Sequence, residues 1–233
     1  MRPGLRLAAL VVLISCAPTA CSEEVSVPPG DARRGWPEGT VLAVEDLPVT
    51  AAEVDAASIW IERIDRKASP DHLRRLALTN IVLRNKVARL LAPQARERAL
   101  GEARQALARL REGSWSGPLL PGGVFGERRS GNFQRLGIPV WGSAIDLAEG
   151  EWSEPVEVPG QFLLLRRLAL APAPVPLAIE VELDVLGFPY LDPDRADGEV
   201  EAAFDRFHLT VVDPSWRPLV PELIQYRMGV HGP

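Results

Sequence analysis

The apolar and polar positions divide the chain into a helical first half and a strand-rich second half. Thr40–Val44, TVLAV, is a β-prone run, and Thr50 with Glu53 makes the capping-box pattern of a helix running to about Ile64. Ser69 and Pro70 read as an N-cap and a first helical residue. Leu73, Leu76, Leu83, Val87 and Leu90 then recur on one helical face, with Arg74, Arg75, Arg84, Lys86 and Arg89 filling much of the remainder. Pro93 breaks that helix. A further helix from about Gln94 to Arg111 uses Leu100, Ala103, Leu107 and Leu110 as its seam.

In the second half the period shortens. Ser143–Leu147 reads as a short helix, and Glu149-Gly150-Glu151 as a turn. Ser153–Val158 and Gln161–Leu165 form a hairpin through Pro159-Gly160. Ala169–Pro176 is an extended Pro/Ala linker in composition. From Leu177 to Leu186 the apolar Leu177, Ile179, Val181, Leu183 and Val185 alternate with Glu180, Glu182 and Asp184, the pattern of a half-buried strand. Glu199–Phe207 and Pro221–Met228 are short helices in this reading, and Leu209–Val212 is a strand. The succession predicts an α+β fold.

Composition narrows the function classes. The 233 residues suffice for one large domain or two small ones, and 46% apolar with 24% charged residues argues against wholesale disorder. A formal net charge of −5 gives no electrostatic case for nucleic acid. The charge is uneven: Trp60–Glu112 is rich in arginine, whereas Glu180–Asp213 is mostly acidic. These segments are either two solvated faces, or they attract each other or present opposite faces to a partner. Asp192, Asp194, Asp197 and Glu199 cluster, but they lack the ligand spacing of a calcium loop, and no metal site or cofactor is expected.

Residues 1–15 have the layout of an export leader: Arg2 and Arg6 precede the apolar run Leu7–Ile14, which is too short to span a bilayer. Leu13-Ile14-Ser15-Cys16 resembles a bacterial lipobox, which implies cleavage before Cys16 and its lipidation. The competing reading is ordinary cleavage near Ala20 with loss of Cys16. Cys21 fits the lipobox pattern poorly because Pro18 precedes it by three. With Cys16 acylated, Cys21 is the only free thiol, and no disulfide framework is possible. Residues 16–38, with Pro28-Pro29-Gly30, read as a flexible tether. Ala17 after Cys16, rather than aspartate, favours the outer membrane among lipoproteins.

Two stretches carry a family resemblance. Ile138–Leu168 resembles the C-terminal half of a parvulin (PpiC-type) peptidyl-prolyl isomerase domain, "F-x-L-x-x-G-E-x-S-x-P-V…G-Y-H-I-I", through Leu147, Gly150, Glu151, Ser153, Pro155, Val156, Gly160 and Leu163-Leu164. Pro121-Gly122-Gly123-Val124-Phe125-Gly126 resembles the family's glycine loop, and Ala99–Glu112 its helix. Val41, Ala43, Val44, Val49, Thr50, Glu53 and Val54, followed by Leu76, Ile81, Val82, Lys86 and Val87, are similar to the opening of SurA-type periplasmic chaperones.

The resemblance implies a helical SurA-like region over 39–112, a reduced parvulin-like segment over 113–170 and a β-containing C-terminal extension over 171–233. It also implies an apolar peptide cleft, with Phe125, Phe133, Trp141 and Phe162 as candidate lining residues. The departures concern catalysis. The family's first strand is unrecognisable, Phe162 stands where parvulins carry a histidine, and His72, His208 and His231 match no family position. No catalytic residue is therefore assigned, and isomerase activity is doubtful. The expectation is a lipid-anchored folding or assembly factor facing the periplasm and binding unfolded or extended polypeptide. The alternative is a non-catalytic structural subunit of an envelope secretion or assembly complex.

Overall fold

The structure is a computed structural model, and it describes residues 35–114, 119–120 and 124–230. The leader, Cys16, nearly all of the tether, Pro121-Gly122-Gly123 and His231 lie outside the described residues.

Strands β1 (Thr40–Val44) and β2 (Leu47–Thr50) form a hairpin. Every residue of β1 is buried, because it is the central strand of a three-stranded antiparallel sheet whose other edge is β8 (Leu209–Val211), contributed by the far end of the chain. Thr50 ends β2 and caps α1 (Ala51–Ile64): the Glu53 N–H donates to Thr50 Oγ1 at 3.2 Å, and the Thr50 N–H donates to Glu53 Oε2 at 3.0 Å. Ser69 caps α2 (Pro70–Ala77), with Pro70 at the first helical position. This helix continues through a π turn, Leu78–Val82, into α3 (Leu83–Leu91), the Leu83 N–H reaching back to the Leu78 carbonyl. Pro93 then starts α4 (Pro93–Arg111), so the proline both breaks one helix and opens the next.

The second sheet is antiparallel and five-stranded, in the order β3 (Leu119–Leu120), β4 (Val124–Gly131), β7 (Glu180–Pro189), β6 (Gln161–Ala171) and β5 (Val156–Val158). The coarse α+β expectation holds. Residues 171–233, expected as an extension, supply the strand between β4 and β6 as well as the edge that completes the first sheet. The Pro/Ala stretch is the turn of the β6–β7 hairpin, with Ala169–Ala171 still paired in β6. Leu177 and Ile179 are not in the strand. Pro176–Ala178 forms a 3-10 turn, closed by Ala178 N–H to Val175 O and Ile179 N–H to Pro176 O, and it delays the strand to Glu180.

Both faces of β6 and β7 are covered over part of their length. On one face Leu163, Leu165, Val181, Leu183 and Val185 pack against Val140, Trp141 and Ala144 of α6 (Ile138–Ala144), which follows the single turn α5 (Phe133–Leu136). On the other, Phe162, Leu164, Leu186, Phe188 and Tyr190 join the larger core shared with α1 to α4, β1 and β8. The hairpin turn depends on Gly160, whose φ of +84° follows Pro159 as a type II turn requires. A Cβ there would also lie 2.7 Å from the Ala196 Cβ of α7 (Ala196–Ala203).

The arginine-rich and acidic segments attract each other. Arg84 of α3 bonds Asp197 at 2.9 Å and Glu201 at 3.1 Å on α7. These bonds are exposed, so they orient the two segments more than they stabilise them.

Candidate functional site

A groove of about 500 Å3 opens between the helical layer and the S-x-P-V strand. Three stretches build it, each by its own periodicity. Helix α1 contributes Glu53, Ala56, Ala57 and Trp60, at the spacing of one helical face. The π turn and α3 contribute Ile81, Val82, Asn85, Lys86 and Arg89. The opposite wall is Ser153 to Glu157 in unbroken sequence, with Ser143 and Leu147 from the α6 side.

Two local features shape the walls. Gly142 allows Trp60 to lie on α6, since a Cβ on Gly142 would sit 2.5 Å from the Trp60 Cγ. Ser153 is buried and pins the strand start: its N–H donates to Leu165 O at 2.8 Å, and its Oγ accepts from the Leu165 N–H at 3.0 Å.

The groove combines its apolar lining with two ion pairs, Lys86 with Glu53 and Arg89 with Glu157. Lys86 is only 5% exposed, and its Nζ donates to Glu53 Oε1 at 2.8 Å and Oε2 at 3.0 Å. Burial pushes the Lys86 ammonium below its ordinary value, against the opposing pull of Glu53. Glu53 therefore serves both the helix cap and the lysine.

Glu157 accepts from two guanidiniums. Arg96 donates through Nε at 2.8 Å and Nη2 at 3.0 Å, Arg89 through Nε at 3.0 Å and Nη2 at 2.5 Å. Burial alone would raise the Glu157 carboxyl; the bonds from Arg96 and Arg89 together outweigh it and hold the carboxyl below its ordinary range. The Tyr190 hydroxyl also donates to Glu157 Oε1 at 3.3 Å, and burial beside that carboxylate pushes the phenol up. Asn85 Nδ2 donates to Glu157 O at 3.3 Å, while its buried Oδ1 has no partner among the described residues.

Of the aromatic residues expected to share a cleft, Phe162 lies on the opposite side of the sheet from Trp141 and Phe133. Phe162 is 2% exposed, stacked obliquely 5.8 Å from Tyr190, with the Arg96 guanidinium 5.1 Å from its ring centroid. Trp141 is fully buried on the opposite face of the sheet, its Nε1 donating to Ile179 O at 3.0 Å. Phe133 joins Trp141 edge-to-face at 6.1 Å. The reason is the pleat: Phe162 faces the helical layer, whereas its neighbour Leu163 faces α6. Phe125 is described only by its backbone, on β4 opposite Leu119.

His72 and His208 are exposed, and neither lines the groove. Among the described residues, no group of three or more histidine, cysteine or acidic side chains is placed to hold a metal ion.

The residues that periodicity alone assigned to the solvent face include the most buried charge. Lys86 lies three residues after Leu83 and four before Leu90, which is core spacing, and that signal was legible in the sequence. The double-arginine pairing of Glu157 was not, because Glu157 lies 68 residues from Arg89 and 61 from Arg96. The chain matches no protein-family model, no curated protein and no solved structure.

Proposed function

We propose that this protein is an exported, lipid-anchored folding or assembly factor that binds an extended stretch of another polypeptide in the groove between α1, α3 and the Ser153–Glu157 strand. The observation that carries the reading is the groove itself. It is open, apolar along Ala56, Ala57, Trp60, Ile81 and Val82, and carries the fixed polar groups Glu53, Lys86, Arg89 and Glu157 in its lining. Such a lining suits an extended chain, whose side chains meet the apolar floor while its main chain meets polar groups at the rim. The parvulin and SurA resemblances include residues that form these walls, namely Glu53, Ile81, Val82 and Lys86 on one side and Leu147, Ser153, Pro155 and Val156 on the other.

We read the five-stranded sheet as a rearranged parvulin-like sheet. The opening strand that the resemblance calls for is replaced by β7, which follows the hairpin in sequence and lies between β4 and β6. Isomerisation is not part of the proposal. The family's paired histidines have no counterpart at the groove, and Phe162 is enclosed in the core.

That enclosed Phe162 favours one second reading, a non-catalytic structural subunit of an envelope complex that docks a single partner. Fluorescence anisotropy with a labelled, permanently unfolded polypeptide tests the first. Ala56 is exposed and lines the groove, so Ala56→Arg fills it from the surface. The expected result is at least a tenfold loss of affinity, about 1.4 kcal/mol, at unchanged melting temperature. Failure of the native chain to bind unfolded polypeptide, together with recovery of one stoichiometric partner from solubilised membranes, selects the subunit reading.

A further inference from the structure

Away from the groove, the turn of the β6–β7 hairpin has an unusual composition. Residues 168–179, LALAPAPVPLAI, contain no charged or hydrogen-bonding side chain. Leu170 is 37% exposed, Val175 53% and Leu177 44%. Pro172, Pro174 and Pro176 carry no N–H, and the 3-10 turn occupies the N–H groups of Ala178 and Ile179. Leaving water therefore costs this backbone less than it would cost an ordinary loop, since each uncompensated amide is expensive in an apolar medium.

The ladder below the tip has a different character. At the level of Leu183 and Asp184, β4 places Arg128 and Arg129 and β6 places Arg166 and Arg167. Arg128 and Arg166 face Asp184, at 3.4 and 3.6 Å. This mixed-charge collar runs from Asp184 through Glu182 to Glu180 at the last paired rung, opposite Ala171. What projects beyond it is the uncharged turn of residues 172–179, a short segment of the kind that reaches into the headgroup and acyl boundary. Protein-docking hot spots are rich in tryptophan, tyrosine and arginine, whereas this tip offers only leucine, valine, alanine, isoleucine and proline.

We infer that the β6–β7 tip inserts into the interfacial region of a lipid bilayer, with the arginine and carboxylate collar at headgroup level. The collar carries both signs, so insertion proceeds on zwitterionic lipid without anionic attraction. This surface is independent of the peptide groove and takes from the leader only that a membrane is at hand.

The test uses the full chain, expressed with its leader and mixed with phosphatidylcholine vesicles. In a Cys21→Ser background, Val175→Cys carries a nitrobenzoxadiazole probe, and the comparison probe sits at Leu223→Cys, a more exposed site on α8 (Glu222–Arg227). The unmodified Cys21→Ser chain supplies the background signal. The probe at residue 175 is expected to shift to the blue and lose emission when the vesicles contain doxyl-labelled lipid, while the probe at 223 does neither. Adding Leu170→Ser and Leu177→Ser should abolish the shift with the circular dichroism unchanged. An unshifted probe at 175 overturns the inference, as does a shift that needs no vesicles and grows with protein concentration, which is self-association. Vesicle flotation reports lipid anchoring separately, so a failed anchor is not mistaken for a failed tip.

Discussion

The two faces of β6 and β7 are built from alternate residues of the same strands, yet they are held by different physics. Toward α6 the contacts are almost wholly apolar, Leu163, Leu165, Val181, Leu183 and Val185 against Val140, Trp141 and Ala144. Toward α4 the face carries Phe162 and Tyr190, and Glu157, directly opposite Phe162 in the ladder, accepts from Arg89 and Arg96. Apolar burial is non-directional, whereas a carboxylate between two guanidiniums adds geometric specificity to its energy. The groove draws on both, with Glu157 from the directional face and Val156, Ser143 and Leu147 from the α6 side. Binding surfaces need walls that stay put, and the ionic lock holds the S-x-P-V strand against α3 and α4 at the cost of a buried charge network.

Breaking the apolar face should produce the largest effect. Trp141→Ala leaves a cavity on a fully buried site and is expected to cost about 3–5 kcal/mol in denaturant unfolding. That cost should not vary with pH, because no titratable group depends on the indole.

Glu157→Gln breaks the other face and should cost about 3 kcal/mol at neutral pH, since two partly buried guanidiniums lose their counter-charge. This difference is pH-dependent with a defined sign. The folded carboxyl lies below its ordinary value of 4.5, so its contribution is complete above that value and is lost as pH falls toward the depressed folded value. Unfolding curves of wild type and Glu157→Gln should therefore converge in acid, while those of wild type and Trp141→Ala stay apart. Parallel behaviour of the two variants would remove the distinction between the faces.

Gly160→Ala acts at the turn that joins β5 to β6. It combines a φ of +84° with a 2.7 Å contact to the backbone-anchored Cβ of Ala196. Thermal unfolding should show a loss of about 2 kcal/mol, the smallest of the three.

Local structure was legible in the sequence where local chemistry dictates it. The capping box at Thr50, the Ser69-Pro70 helix start, the Pro93 break and the Pro159-Gly160 hairpin are set by groups within four residues of one another. What was illegible is non-local. Alternation identifies Val181, Leu183 and Val185 as one buried face, but it does not say that β7 lies between β4 and β6. Nor does a list of aromatic residues reveal that Phe162 and Trp141 face opposite sides of one sheet. The groove draws on α1, α3 and a strand about a hundred residues further along the chain, so only its parts were visible: the capping glutamate, the lysine at core spacing and the S-x-P-V pattern.

Hydrogen exchange on the full chain, with and without an unfolded polypeptide, tests the central claim most directly. Binding in the groove predicts added protection confined to Ala56–Trp60, Ile81–Arg89 and Ser153–Glu157, and its loss in Ala56→Arg. Protection elsewhere, or none at saturating polypeptide, contradicts the account.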